Sequence, residues 1–322
     1  MKLKYLSIFI ILFSIETNYA QYTDLINSNR PGESMSAFSV GKTVLQFESG
    51  LSFLNEKHNR MDYKASGYGI GFDARYGFLK EELEAIIEID YQKDKYTTSD
   101  FSKNRSGLKN TTLGAKYLFY DPYKKYEKKI NLYSWKANHK FEWRQLIPAI
   151  AAYGGVNLNF DDKFVANPDD NKKISFKAML ITQNQLGSGF VLVTNIFADK
   201  IASKYMSLEY IITLTKGFNS KWSGFLENKA MKSDIYSDLI FRSGAAYLIN
   251  ENLQIDASLS KNFKETPSIF YGGIGVSWRY TSNYEEILLR VEKKEKKKDK
   301  SVKGKEKEKT KKRLDEIEVT KP

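Results

Sequence analysis

The chain has 322 residues, a formal net charge of +12 and no cysteine. The lack of cysteine excludes disulfides, cysteine-ligated metals and a lipid-modified N-terminal cysteine. Apolar residues make up only 41% of the chain, whereas aromatic residues reach 14%, with 21 Tyr and 20 Phe. This mixture is typical of a chain whose side chains face lipid and water alternately, and an ordinary soluble core is less aromatic.

The N-terminus has the features of an export signal. Lys2 and Lys4 carry positive charge, Tyr5 to Ile15 form a short apolar run, and Ala20 offers a small residue at the end. The apolar run is too short to cross a bilayer as a helix. We predict a signal peptide over residues 1–20 and a mature chain located in the outer membrane.

Alternation of apolar and polar residues dominates the chain from Thr43 to Tyr280. In the first segment Leu45 and Phe47 lie on one face, while Gln46 and Glu48 lie on the other. A period of two over roughly nine to thirteen residues is typical of a tilted membrane strand with one face in lipid and the other in a lumen.

The sequence therefore predicts an all-β fold, a transmembrane antiparallel β-barrel of about twelve strands, with ten to fourteen compatible with the pattern. The predicted strands are Thr43–Asn55, Ser66–Phe78, Leu83–Lys93, Gly107–Tyr120, Ile147–Asn159, Ile174–Gln183, Phe190–Phe197, Lys204–Lys216, Trp222–Ala230, Ser237–Ile249, Leu253–Ser260 and Ser268–Tyr280.

The connections follow the barrel rule that short periplasmic turns alternate with longer outer loops. We predict polar outer loops at Glu56–Ala65, Asp94–Ser106 and Phe160–Lys173. The connector Asp121–Leu146 breaks the rule, because it should be periplasmic and is too long for a turn. It holds either a periplasmic helix or two weak strands within Lys129–Arg144, which would bring the total to fourteen.

Two segments flank the predicted barrel of residues 43–280. Residues 21–42 are predicted to be a periplasmic N-terminal segment. Residues 281–322 are rich in Lys and Glu and cannot bury enough apolar surface to fold, so we predict a disordered, charged periplasmic tail.

Three short motifs resemble those of a known family. They are Asn29-Arg30-Pro31-Gly32, the stretch from Ser39 to Gly50 that ends in Glu48-Ser49-Gly50, and Leu253-Gln254-Ile255-Asp256. Together they are similar to motifs of the outer-membrane β-barrel transporters linked to the meta-pathway of phenol degradation, in which Asp is usual at the position of Asn29. The resemblance implies a barrel that lets hydrophobic or aromatic small molecules diffuse across the outer membrane.

Charged residues of both signs are predicted to line the lumen. They either border an aqueous path or pair and plug a narrow barrel, and the pattern leaves both readings open. The candidates are Glu48, Asp73, Arg75, Glu84, Glu88, Asp90, Lys116, Lys177, Glu209, Glu227, Arg242, Asp256 and Arg279. In the last strand Gly275, Trp278 and Tyr280 resemble the terminal signal that barrel assembly machinery recognises.

No pattern indicates an enzyme. The only histidines, His58 and His139, fall in predicted connections, where no fixed Ser or Asp would orient them. We expect no catalytic residue, no metal site and no cofactor. The expected partners are outer-membrane lipid and lipopolysaccharide, the assembly machinery and a periplasmic partner for the basic tail, and we expect no nucleic acid.

The leading functional hypothesis is a porin-like transporter that allows passive diffusion of small, hydrophobic or aromatic solutes through the lumen. The alternative is a non-conducting scaffold barrel that recruits periplasmic partners of an envelope assembly or secretion machine through its connector and tail.

Overall fold

A computed structural model of the chain describes residues 26–124, 133–134, 143–161, 163–164, 172–187 and 189–281. The predicted signal peptide lies outside these residues, and so does the predicted tail after Thr281. Among the described residues, no helix has the length and apolarity needed to cross a membrane.

Twelve strands account for almost all of the regular structure in the described part of the chain, and one short 3-10 helix, Trp143–Leu146, precedes the fifth strand. The strands are β1 Val44–His58, β2 Tyr63–Gly77, β3 Leu83–Thr98, β4 Ser102–Tyr120, β5 Ala149–Leu158, β6 Ile174–Gly187, β7 Phe190–Ile201, β8 Ser207–Gly217, β9 Trp222–Ser233, β10 Ser237–Asn250, β11 Leu253–Asn262 and β12 Ser268–Thr281.

The strands form one closed antiparallel barrel in which each strand pairs with its chain neighbours and β12 pairs with β1. Closure leaves no sheet edge, so every strand finds backbone partners without help from water, as a bilayer requires. The predicted fold is confirmed. The fourteen-strand alternative is wrong, because β4 pairs directly with β5 and leaves no place in the ring for strands from the connector.

The alternation sorts side chains between lipid and lumen as predicted. On β1, Phe53 faces outward and is 58% exposed, while Gln46 and Glu48 face inward and are almost fully buried. The outward face of the other strands carries the same kind of exposed apolar residues, including Leu180 on β6 and Ile274 on β12. In a bilayer this belt lies against hydrocarbon, so its exposure to water is only apparent.

The barrel has two distinct ends. The turns at residues 78–82, 218–221 and 251–252 lie at the same end as the described ends of the chain, which identifies the periplasmic rim. The predicted outer loops Glu56–Ala65 and Asp94–Ser106 are largely wrong, because β1 to β4 continue through them as paired strands. Beyond the hydrocarbon no lipid selects apolar residues, so the polarity pattern fades while backbone pairing persists.

The predicted position of residues 21–42 needs a further correction. Residues 26–42 lie inside the ring of strands, where Ala37 is 0% and Val40 2% exposed, rather than in the periplasm below it. The long connector is only partly described, so its predicted helix over residues 125–142 stays a prediction.

Close packing of β2 against β3 generates the first testable prediction. A Cβ at Gly67 would collide with the backbone carbonyl of Lys93, whereas a Cβ at Gly154 would meet nothing within 4 Å. We expect Gly67→Ala to destabilise the barrel by about 1–3 kcal/mol, the usual cost of overpacking. The measurement is the urea midpoint of heat-modifiable migration on gels. Gly154→Ala is the matched control, and an equal midpoint for both variants would contradict the close approach.

Candidate functional site

The lumen contains the chain's own N-terminal part, residues 26–42, which we call the plug segment. It starts at the periplasmic rim, where the Ile26 backbone N–H donates to the Glu251 carbonyl at 3.0 Å. It returns to the rim at Gly41, whose φ of +96° suits glycine. The Thr43 N–H then donates to the Gly77 carbonyl at 2.9 Å, and β1 begins.

Side chains of the barrel wall supply the hydrogen bonds that the backbone of the plug segment needs. The Asn195 side chain accepts from the Met35 N–H at 2.6 Å and donates to the Met35 carbonyl at 3.0 Å. The Gln183 amide oxygen accepts from the Ala37 N–H at 3.0 Å, and Lys116 donates to the Phe38 carbonyl at 3.0 Å. Buried backbone groups must find partners, and here polar wall residues replace a neighbouring strand.

The three motifs that carry the family resemblance meet at one point. The Arg30 guanidinium pairs with Asp256 at 3.1 Å, and Gln254 donates to the Arg30 carbonyl at 3.2 Å. Glu48 accepts from the Arg30 N–H at 3.2 Å. Only glycine leaves room for this guanidinium, because a Cβ at Gly50 or at Gly275 would collide with it. We call these contacts the arginine latch.

Asn29 stands where relatives of the family carry Asp, and its side-chain oxygen keeps a structural role. It accepts from the Ser36 N–H at 3.0 Å and so closes a loop within the plug segment. A carboxylate oxygen at this position could accept the same bond, which explains why the substitution is tolerated.

The tip of the plug segment is held by charge. Glu33 pairs with Lys229 at 2.9 Å and with Arg242 on the neighbouring strand, and its side chain is 44% exposed. Glu227 accepts from the Glu33 N–H at 3.0 Å and from Arg242 at 2.7 Å. Because Lys229 and Arg242 lie on the outer side of Glu227 along their strands, the exposed carboxylate of Glu33 faces the outer half of the lumen.

A buried charge network supports the other end of the plug segment. Arg75 pairs with Glu48 at 3.1 Å and with Glu84 at 3.0 Å, and Lys116 pairs with Glu84 at 2.7 Å, all with side chains at 0% exposure. Buried charges are tolerated when each one is paired and hydrogen-bonded. The network also holds the plug segment, because Arg75 donates to the Asn27 carbonyl at 2.7 Å and Glu84 accepts from the Val40 N–H at 2.8 Å.

The opposite side of the lumen is apolar. Met35 and Ala37 of the plug segment, with Phe38 beside them, pack against the inward residues of β3 to β8. The wall residues of this cluster are Ile86, Leu118, Ala149, Ala151, Tyr153, Met179, Ile181, Phe197 and Ile211. The plug segment thus covers an apolar wall on one side and bonds to a charged wall on the other.

All thirteen predicted lumen residues lie on the inward face of their strands, as the strand registers show. The registers run continuously around the barrel from Glu48 opposite Asp73 to Asp256 opposite Gly275. Seven of them contact the plug segment: Glu48, Arg75, Glu84, Lys116, Glu227, Arg242 and Asp256.

Two of the remaining residues pair with other wall residues. Glu88 accepts from Lys177 at 3.1 Å, and Glu209 pairs with Lys229 at 3.3 Å. Asp73, Asp90 and Arg279 complete the inward set.

Sequence reasoning missed five residues that hold the plug segment. They are Arg30, Glu33, Gln183, Asn195 and Lys229. One signal could have identified part of this set: uncharged amides at inward positions of two strands, which suit backbone hydrogen bonding better than an open aqueous path.

The three residues of the predicted assembly signal separate in the structure. Trp278 and Tyr280 face outward, and the Trp278 ring stacks on Phe47 with centroids 6.0 Å apart. Gly275 faces inward and makes room for the Arg30 guanidinium. Recognition by assembly machinery stays a prediction.

Neither predicted histidine site gains a catalytic arrangement from the structure. His58 ends β1, and its Nδ1 accepts from the Met61 N–H at 3.0 Å, while His139 lies outside the described residues. Within the described ranges, no three acidic or histidine side chains come close enough to hold a metal ion.

The arginine latch generates the second prediction. A methyl group at Gly275 would push the Arg30 guanidinium off Asp256, whereas a methyl group at Gly273 would make ordinary contacts, with the nearest atom 3.4 Å away. The reporter is the substitution Ala37→Cys, since the chain has no other cysteine and Ala37 is 0% exposed. We expect Gly275→Ala to raise labelling of the reporter by a hydrophilic maleimide roughly tenfold, because an unpaired buried carboxylate weakens the latch. Equal labelling with Gly273→Ala would show that the latch does not hold the plug segment.

Comparisons with known proteins agree with this architecture. The COG4313 outer membrane channel from Pseudomonas putida F1 is 12% identical, with a TM-score of 0.51 over 79% of this chain and 100% of that chain. The translocator domain of the autotransporter NalP from Neisseria meningitidis is 10% identical, with a TM-score of 0.45 over 74% and 89% of the two chains. The CymD monoaromatic hydrocarbon channel is 9% identical, with a TM-score of 0.37 over 76% and 90%.

At these identities the likeness concerns the fold alone. No curated protein matches the sequence. One family profile matches residues 28–280, which include the arginine latch and all twelve strands except their last residue. The chain therefore belongs to the family described as "Putative MetA-pathway of phenol degradation".

Proposed function

We propose that this protein is an outer-membrane diffusion channel whose lumen opens when the plug segment leaves it. The structure described above is then the closed state. Solutes move down their concentration gradient, and the barrel acts as a conduit, so no residue is assigned a catalytic role.

The observation that carries the proposal is the way in which the plug segment is held. Between residues 27 and 40 no backbone-to-backbone hydrogen bond joins it to the wall, and side chains make all of the contacts. The plug segment can therefore detach while the ladder of the barrel stays intact. A strand in the wall could not do so, because its departure would leave unpaired backbone in hydrocarbon.

The two-sided lumen supports a particular class of solute. Departure of Met35 and Phe38 would uncover the apolar wall formed by Ile181, Phe197 and Ile211. The facing wall would keep charged residues such as Arg242. Such a path suits small solutes with an apolar ring on one side and a polar or ionised group on the other, which includes phenols and aromatic acids.

The third prediction tests the gate with an engineered tether. The Ser28 and Ser277 hydroxyl oxygens lie 2.7 Å apart, a separation suited to a disulfide between cysteines at these positions. A disulfide would join the plug segment to β12 and stop it from leaving. We expect the oxidised Ser28→Cys, Ser277→Cys variant to show no openings in planar bilayers, and a reductant to restore them.

The controls for the tether are the two single cysteine variants, which should conduct with or without oxidant. Unchanged conductance in the oxidised double variant would overturn the gate. Silence of the wild type and of a variant lacking residues 27–39, with both correctly folded, would overturn the channel itself.

The fourth prediction tests the solute class. Ile181→Ser places a hydroxyl on the apolar wall, and Ser258→Ala is the control on the opposite side of the lumen. Liposome permeability to benzoate and phenol, relative to a sugar of similar size, should fall severalfold with Ile181→Ser, because its hydroxyl weakens apolar contact. An unchanged ratio would show that the apolar wall does not select the solute.

The scaffold alternative depends on the connector and the tail. Most of the connector and all of the tail after Thr281 lie outside the described residues. We therefore base no second functional proposal on them.

A further inference from the structure

Four lysines form a cluster on the outward face of the barrel near its outer end. Lys57 is on β1, Lys64 on β2, and Lys93 and Lys95 on β3, and all four are exposed. Lys57 lies directly opposite Lys64, and Lys93 lies opposite Tyr68. We call these residues the lysine patch.

The lysine patch begins where the apolar belt of these strands ends. Phe53 is the last apolar outward residue of β1, and Tyr68, which is 37% exposed, is the last one of β2 toward the outer end. Lys57 follows Phe53 by four residues, or roughly 13 Å along a strand. The ammonium groups therefore lie at the height where the phosphates of outer-leaflet lipids are found.

The charges of the lysine patch are not balanced by the protein. The other outward positions of β1 to β3 at this height are Asn55, Ser66 and Thr97, and none carries a negative charge. The nearest strand carboxylates face inward and are engaged: Glu56 accepts from Tyr63, and Asp94 pairs with Arg105 at 2.8 Å. No hydrogen bond or ion pair involves the four lysines within the described part of the chain.

Unbalanced like charges opposite each other destabilise a sheet, so the arrangement needs a counterion from outside the protein. Lysine binds phosphate as a compact point charge, and cross-strand neighbours of about 5 Å allow two ammonium groups to approach one phosphate. We infer that the lysine patch binds the phosphorylated glucosamine headgroup of lipopolysaccharide in the outer leaflet. Its acyl chains would lie against the apolar belt below, beside Phe53 and Tyr68.

The inference is independent of the proposed channel, because the lysine patch lies on the lipid side of the wall. Its test uses the variant Lys57→Gln, Lys64→Gln, Lys95→Gln. The matched control removes three exposed lysines at the periplasmic end, Lys42→Gln, Lys80→Gln, Lys221→Gln. Gel migration before and after heating verifies that each variant is folded.

Native mass spectrometry in detergent with a chelator present measures binding of purified bisphosphorylated lipid A, phosphatidylglycerol and phosphatidylcholine. We expect the lysine patch variant to bind lipid A at least about tenfold more weakly than the wild type, and the control to bind it normally. Equal binding by the two variants would overturn the site.

Two further outcomes would assign the lysine patch to a different ligand. Phosphatidylglycerol binding as tight as lipid A binding would make it a general site for anionic lipid and overturn the commitment to lipopolysaccharide. Displacement of lipid A by low millimolar inorganic phosphate would show a site for a soluble anion.

Discussion

The structure depends on one constraint: backbone polar groups that water cannot reach must be paired by the protein itself. In the wall this is achieved by closing the antiparallel ladder, with β12 returning to β1. In the lumen the same constraint applies to the plug segment, which has no strand beside it. There the partners are side chains, and Asn195, Gln183 and Lys116 occupy the positions that a neighbouring backbone would otherwise take.

This second use of the constraint explains the composition of the inner wall. A lumen that only carried water would not need amides and ion pairs buried to 0% exposure, such as the set around Arg75. Because each of these groups bonds to the plug segment or to another wall residue, the charges serve the closed state. The balance between the two readings left open by the sequence thus moves toward an occupied lumen.

The division of the lumen into a charged side and an apolar side links the plug to the solute. The plug segment places Met35 against the apolar side and Arg30 and Glu33 against the charged side. In this sense it makes the contacts that an amphipathic solute of the proposed class would make. The family resemblance gains a physical meaning as well, since its separate motifs build the arginine latch.

Local alternation determined much of this protein. A period of two places each side chain on one face of a strand, and closure leaves only one inside, so Glu48 and Asp256 could be assigned to the lumen from sequence. Strand ends were less certain, since beyond the bilayer the polarity of residues such as Lys95 no longer reports on pairing. What only the tertiary structure decided is the position of the plug segment, because its partners are distant in sequence: Ser28 and Ser277 are 249 positions apart. Such contacts have no local pattern, and they exist only once the ring has closed around the segment that fills it.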